Sequence, residues 1–268
     1  MIQIIRSTPN LISVLIGAFM MISCSTQPLL SLEAKKDLAS TGKLRAGMNL
    51  GNTLFTQKNN TGELQGVSVD LMQELAKRLD VPLEMVIYDE PGQVAEASAK
   101  GVWDVAILAI EQTRAKTLTF SPAMTEIEGG YVVHQNSSIT RMEQVDAKGV
   151  KIAAPAGAGY ELYLNNALKN AAIVRTKNFA NSIEIFNLKQ VDVLAGLKPN
   201  LMDAMTKFPE GKLLEGHFMI INHGLATPRG HNAGDEYLQN FVKELNESGF
   251  VARSIAKHQI KGLTAVKK

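Results

Sequence analysis

Residues 103–124 read WDVAILAIEQTRAKTLTFSPAM. Trp103–Ile110 is a near-continuous apolar run, interrupted only by Asp104. A run of this kind is expected of a strand buried on both faces. Glu111–Lys116 then reads as the start of a short helix with one arginine, Arg114, in apolar surroundings. A strand covered on both faces needs helices on both sides, so the stretch points to an α/β architecture with a largely parallel sheet. Arg114 raises the functional question: either it makes a surface ion pair, or it meets a bound anion.

The sequence on the N-terminal side supports the architecture. Lys43–Met48 is a short strand, and Asn49–Phe55 turns around Gly51 and two asparagines. Thr61–Gly62 marks a hairpin turn. Ser68 or Asp70 opens a helix whose Leu71, Met72, Leu75, Ala76 and Leu79 share one face, and Pro82 stops it. Leu83–Tyr88 is a strand and Gln93–Lys100 a short helix. On the C-terminal side a similar unit follows. Its strands are Val150–Ala154, Ile173–Thr176 and Val191–Gly196, and its helices are Tyr160–Asn170, Ser182–Leu188 and Pro199–Thr206. Met219–Ala226 is extended, and Ala233–Ser248 is a long amphipathic helix ended by Gly249. Two α/β units joined by extended crossovers near 132–136 and 220–225 imply a hinge and a cleft between them, a common place for small ligands.

The chain of 268 residues, 45% hydrophobic and 20% charged with a formal net charge of +2, suits an ordinary globular protein with room for two modest domains. Its basic residues are scattered, which argues against a nucleic-acid partner. Residues 1–23 read as a secretory signal: Arg6, then the uncharged apolar run Leu11–Ile22, too short to span a bilayer comfortably. Cleavage there would lower the formal charge from +2 to +1. Cys24, the single cysteine, follows in the string MISC, which resembles a lipoprotein signal box with Met21 where leucine is usual. Cys24 is therefore either lipidated or an unused thiol, and no disulfide can form within the chain. Residues 24–42 read as a tether and 263–268 as a tail.

The segments GELQGVSVDLMQELAKRLDVPLEMV (62–86), WDVAILAIEQTRAKTLTFSPAM (103–124), VDVLAGLKPNL (191–201) and FVKELNESGFVARSIAKHQIKG (241–262), in this order, resemble the type II periplasmic solute-binding proteins of ABC importers, in particular their polar-amino-acid branch. The resemblance implies two α/β lobes that close on a ligand like a flytrap, each a mixed, mainly parallel sheet flanked by helices. The first lobe would comprise 43–133 and 223–262, and the second 134–222.

The resemblance also gives Arg114 a role, gripping a ligand carboxylate, for which a planar guanidinium fork is suited. A structural ion pair is the other reading. Several positions depart from the family pattern. Ala109 and Glu111 stand where hydroxyl residues are usual, and Glu111 reads as a helix-start residue. Gly157-Ala158-Gly159 replaces a hydroxyl-bearing helix start. The bare backbone N–H groups at that helix start can cradle an anion, or the stretch is a tight turn, and Tyr160 offers a hydroxyl or an aromatic wall. Leu197 and Lys198 stand where an aspartate usually meets the ligand ammonium. If Lys198 faces the cleft, a plain zwitterion is disfavoured; otherwise it is a surface lysine. Asn49 and Asn52 either line the cleft or only form the turn. Glu126 and Glu128, near the crossover, either contact ligand or orient Arg114.

These readings favour an extracytoplasmic solute-binding component of an ABC uptake system. Its partners would be a small anionic or carboxylate-bearing solute and an inner-membrane permease, and it would act as a periplasmic monomer, anchored if Cys24 is lipidated. No cofactor or metal is implied, since the five histidines form no ligand spacing. Two other functions remain open: an accessory protein of this fold for a periplasmic dehydrogenase, and a cyclohexadienyl-dehydratase-like enzyme using Glu126, Glu128 or Glu161 as its acid. No nucleophile–base pairing is legible for an enzyme.

Overall fold

The computed structural model describes residues 30–207 and 210–266. Cys24 and the signal segment lie outside these residues. In chain order the elements are α1 Leu32–Leu38, β1 Leu44–Asn49, β2 Gln57–Lys58, β3 Leu64–Gln65, α2 Val67–Leu79, β4 Leu83–Tyr88, α3 Pro91–Ala97, β5 Val105–Ala109, β6 Leu118–Phe120, β7 Thr125–His134, β8 Lys151–Pro155, α4 Gly159–Ala167, β9 Ala172–Thr176, α5 Phe179–Asn187, β10 Val193–Leu197, α6 Lys198–Lys207, β11 Gly211–Leu213, β12 Met219–Pro228, α7 Asn232–Glu247, α8 Phe250–Lys257 and β13 Thr264–Ala265.

The fold is two-lobed, and both lobes share one sheet. Its strand order is β4-β1-β5-β12-β7-β10-β8-β9. Three parallel strands form each end: β4, β1 and β5 on one side, β10, β8 and β9 on the other. The long strands β12 and β7 run antiparallel between them and to each other. β12 pairs with β7 over Met219–His223 and then with β5 over His223–Ala226. β7 does the converse, passing at Gly129 from β12 to β10. The crossovers are thus two paired strands rather than loose connectors.

Burial explains the elements. Every residue of β5 and of β10 is buried, as expected of strands covered on both faces. The apolar stripe of α2 is fully buried, but the helix begins earlier than Ser68, after Gly66. Gly66 sits at φ 123°, and a Cβ there would meet the Phe55 carbonyl oxygen at 2.3 Å, so only glycine fits. Trp103 lies before β5, and its indole N–H donates to the Val94 carbonyl at 2.9 Å. On α7, Tyr237, Leu238, Phe241, Val242 and Leu245 are buried. Arg78 stacks over the Phe241 ring at 5.0 Å while pairing with Glu74 and Glu244, each at 2.7 Å.

Both ends of the folded part differ from the sequence expectation. Within the stretch expected as a tether, α1 packs on α7, burying Ala34 and Leu38. Asp37 accepts the Gly234 N–H at 3.0 Å. Within the expected tail, Thr264–Ala265 adds a short strand to β7. In each case two or three residues gain partners from elements far away in sequence, which local composition does not reveal.

Candidate functional site

Arg114 opens a single 3₁₀ turn, Arg114–Lys116, after β5. Glu111 holds that turn. Its carboxylate accepts the Thr113 N–H at 2.7 Å and the Arg114 N–H at 3.3 Å, as a helix-start acid should. The Arg114 side chain then folds inward and is only 4% exposed. Nη1 donates to the Ala109 carbonyl at 3.2 Å and Nη2 to the Gly157 carbonyl at 2.8 Å. Nε has no partner. No carboxylate among the described residues pairs with this guanidinium. Burial pulls its pKa down to about 10, opposed by the charge of Glu111, so it stays cationic at neutral pH. A buried cation without a counter-ion is costly. That cost is expected where an anion arrives from outside.

Arg114 lines a cavity of about 60 Å³ between the lobes. That is roughly four to six times the space one water requires. Asn49, Asn52 and Tyr160 line it too. Asn49 Oδ1 accepts the Gly51 N–H at 2.9 Å and Asn52 Oδ1 accepts the Leu54 N–H at 3.3 Å. Each amide thus shapes its turn through oxygen, and its Nδ2 has no acceptor among the described residues. Tyr160 is a buried wall; burial raises its pKa, with Glu90 and Glu161 adding to the effect.

At the start of α4 the second lobe offers backbone donors, since the Gly159 and Tyr160 N–H groups have no acceptor among the described residues. Ala158 caps α4 without a side-chain hydrogen bond. The Gly157 N–H is taken by Glu161 Oε2 at 3.0 Å, and its carbonyl is held by Arg114. Gly157 therefore contributes to the site through its carbonyl, and its N–H is engaged internally. Glu161 Oε1 accepts from Arg175 Nε at 2.8 Å, so this buried acid is committed at both oxygens. The lobes touch through small residues: a Cβ on Gly159 would lie 2.5 Å from Ala109 Cβ, and one on Gly157 would lie 2.9 Å from Gly92 Cα.

Glu126, Glu128 and Lys198 are not brought to this cavity. They border a separate groove of about 1130 Å³. Lys198 Nζ pairs with Glu128 Oε2 at 2.5 Å, and His217 Nδ1 lies 3.4 Å from Glu128 Oε1. Lys198 holds the Glu128 carboxyl below the usual range. At the junction of β10 and α6, Leu197 lines the cavity while Lys198 runs over Gly130, where a Cβ would come within 2.8 Å of Lys198 Cγ. Neither glutamate orients Arg114, and Lys198 is turned away from the cavity that Leu197 lines.

Several lining residues, Asn200 of α6 among them, escaped the sequence reading, and two of them are ionisable. His223 is buried, its Nδ1 has no partner, and its ring tilts against Phe55 at 4.7 Å. Burial and then Arg114 push its pKa down to about 3, opposed by the Ile221 backbone. Glu90, the residue before Pro91 at the start of α3, is the other. The available signals were a histidine inside the extended run MIINHGLAT and an acid at a helix N-terminus.

Among the described residues no His, Cys, Asp and Glu cluster can hold a metal, and no helix is long and apolar enough to cross a membrane. The chain is 25% identical over 173 residues to the histidine-binding periplasmic protein of Salmonella typhimurium, covering 63% of this chain and 66% of that one. It is 22% identical to the L-cystine-binding protein TcyJ of Escherichia coli K12, covering 78% and 79%. The cysteine-binding protein of Campylobacter jejuni superposes with a TM-score of 0.72 at 17% identity, covering 89% of this chain and all of that one, which supports the fold. Residues 44–260 match the bacterial extracellular solute-binding proteins, family 3, and the chain belongs to that family.

Proposed function

We propose that this chain is the extracytoplasmic binding component of an ABC uptake system, capturing a small carboxylate-bearing or amino-acid-like solute between its lobes. The observation that carries the reading is Arg114: buried, cationic, unpaired by any acid among the described residues, and facing a cavity with Nε free. In a dehydrated cleft a carboxylate on such a fork gains far more than at the surface. β7 and β12 form the two-segment hinge, and we place the first lobe at 43–133 and 223–262 and the second at 134–222. Closure around the solute then presents a distinct shape to an inner-membrane permease. Export by residues 1–23 and a lipid anchor on Cys24 belong to the same proposal, and mass spectrometry of the native N-terminus checks both.

The test of cargo binding is a thermal-shift and calorimetric survey of small carboxylates, amino acids included. At about one hundred times Kd, one bound solute stabilises the protein by about 2.7 kcal/mol. Stabilisation of the wild type that Arg114→Met abolishes supports the proposal. Silence to every carboxylate sinks it. An accessory role without cargo draws on one observation: Arg114 already bridges the lobes by its bond to Gly157. Silence to solutes together with copurification of a periplasmic dehydrogenase favours that reading.

A further inference from the structure

The cavity holds a second charged group, of opposite sign. Glu90 lines it together with Arg114. Among the described residues its carboxylate has neither an ion-pair partner nor a hydrogen-bond donor; its backbone carbonyl alone is used, by the Val94 N–H. Burial raises its pKa, as does Asp89, and Lys177 opposes them.

Glu90 and Arg114 do not neutralise each other. The charge that acts on Arg114 is that of Glu111, which is engaged with backbone N–H groups. Glu90 instead acts on Tyr160, and Arg114 acts on His223. The cavity therefore carries two groups of opposite sign, and the Glu90 carboxylate lies by the Asn49–Asn52 turn, where a Cβ on Gly51 would come within 3.1 Å of its Oε2. The second lobe brings no acid of its own: Leu197 is apolar, Lys198 is turned to Glu128, and Glu161 is occupied.

We propose that Glu90, supplied by the first lobe, is the specificity-determining acid of this site and receives the cationic group of a solute whose carboxylate lies on Arg114. This rests on the carboxylate-binding reading above. The condition under which a plain zwitterion was disfavoured, Lys198 facing the cleft, is not met, and the counter-charge comes from the opposite wall. Unpaired and partly desolvated, Glu90 gains a partner from an ammonium and loses further hydration to a neutral hydroxyl.

The experiment compares matched probes by calorimetry on the full chain: L-amino acids, each against the 2-hydroxy acid of the same skeleton, such as alanine against lactate. The wild type is expected to bind an amino acid at least about tenfold more tightly than its hydroxy counterpart. Glu90→Gln is expected to erase that preference, weakening the amino acid about tenfold or more while leaving the hydroxy acid within about threefold. A wild type that prefers the hydroxy acid, or a preference that survives Glu90→Gln, overturns the assignment of Glu90 and leaves the carrier reading standing. Failure of every carboxylate to bind overturns both. If Glu90→Gln does not fold, Glu90→Asp substitutes for it. Drawing the charge back by one methylene should weaken the amino acid more than the hydroxy acid, and equal weakening of the two overturns the proposal.

Discussion

The two walls of the cleft differ in chemistry although the strands behind them are arranged alike. The first wall, built on β5, β12 and the start of α3, carries Arg114, His223 and Glu90. The second, built on β8, β10 and the starts of α4 and α6, presents Ala158, Gly159, Leu197, the ring of Tyr160 and one polar side chain, Asn200. Similar backbone layouts thus host three ionisable groups on one side and an uncharged surface on the other. On the proposed carrier reading, recognition and closure are separable: one wall supplies ionic chemistry, and the other supplies shape and neutral polar groups.

The strongest way to break this division is Arg114→Met. Carboxylate affinity should fall by about a hundredfold or more, because the replacement fills the volume without the charge-assisted bonds. Calorimetry reads the loss, and an unliganded melting point within a few degrees of wild type shows that the wall still stands. Survival of binding would move recognition to the other wall. Next comes Gly159→Val, which pushes a branched side chain into the 2.5 Å gap to Ala109 Cβ. The expected result is an affinity loss of about ten- to a hundredfold with the charged wall intact, and a larger radius of gyration in solution with ligand present. An unchanged radius would show that the second wall is not the closing surface.

The third prediction concerns stability. His223 has a pKa of about 3 in the fold, against about 6.5 in an unfolded chain. The unfolded state therefore takes up the proton first. Stability is fully present above about pH 6.5 and declines as pH falls toward about 3, by up to about 1.4 kcal/mol per pH unit. Denaturant melts between those limits should lose this slope in His223→Asn. A slope that persists places the acid sensitivity elsewhere. The smallest expected effect belongs to Lys198→Met. With Lys198 held by Glu128 outside the cavity, solute affinity should stay within about twofold. A larger change would put Lys198 back at the site.

Much of the frame was legible in the sequence because it rests on local periodicity. The buried runs of β5 and β10 and the stripe of α2 needed no knowledge of partners. The helix-start role of Glu111 was legible as well, since it caps the turn of Arg114 from three residues away. What escaped depends on contacts distant in sequence. His223 reaches the cavity because β12 sets it opposite Ala109. Glu90 does so because α3 starts against the second lobe, where Gly92 meets Ala156 and Gly157. The direction of Lys198 is decided at a strand–helix junction, where adjacent side chains part, so a neighbour in sequence was mistaken for a neighbour in space. The stretch around Leu32–Leu38 reads as helix-prone, but its docking was hidden for the same reason, its burial being set by α7.

The cross-strand pairing of Gly129 with Met219 has an engineering consequence. On the proposed lobe division the chain leaves the first lobe and returns to it at this pair, so the stretch between is an insert clasped at its base. Such a cassette can be exchanged with that of a homologue, or its far loops opened to host a fluorescent reporter, without rethreading the host lobe. Glycines at the base, where Phe218 and Lys198 crowd in, set the one seam that a graft has to reproduce faithfully.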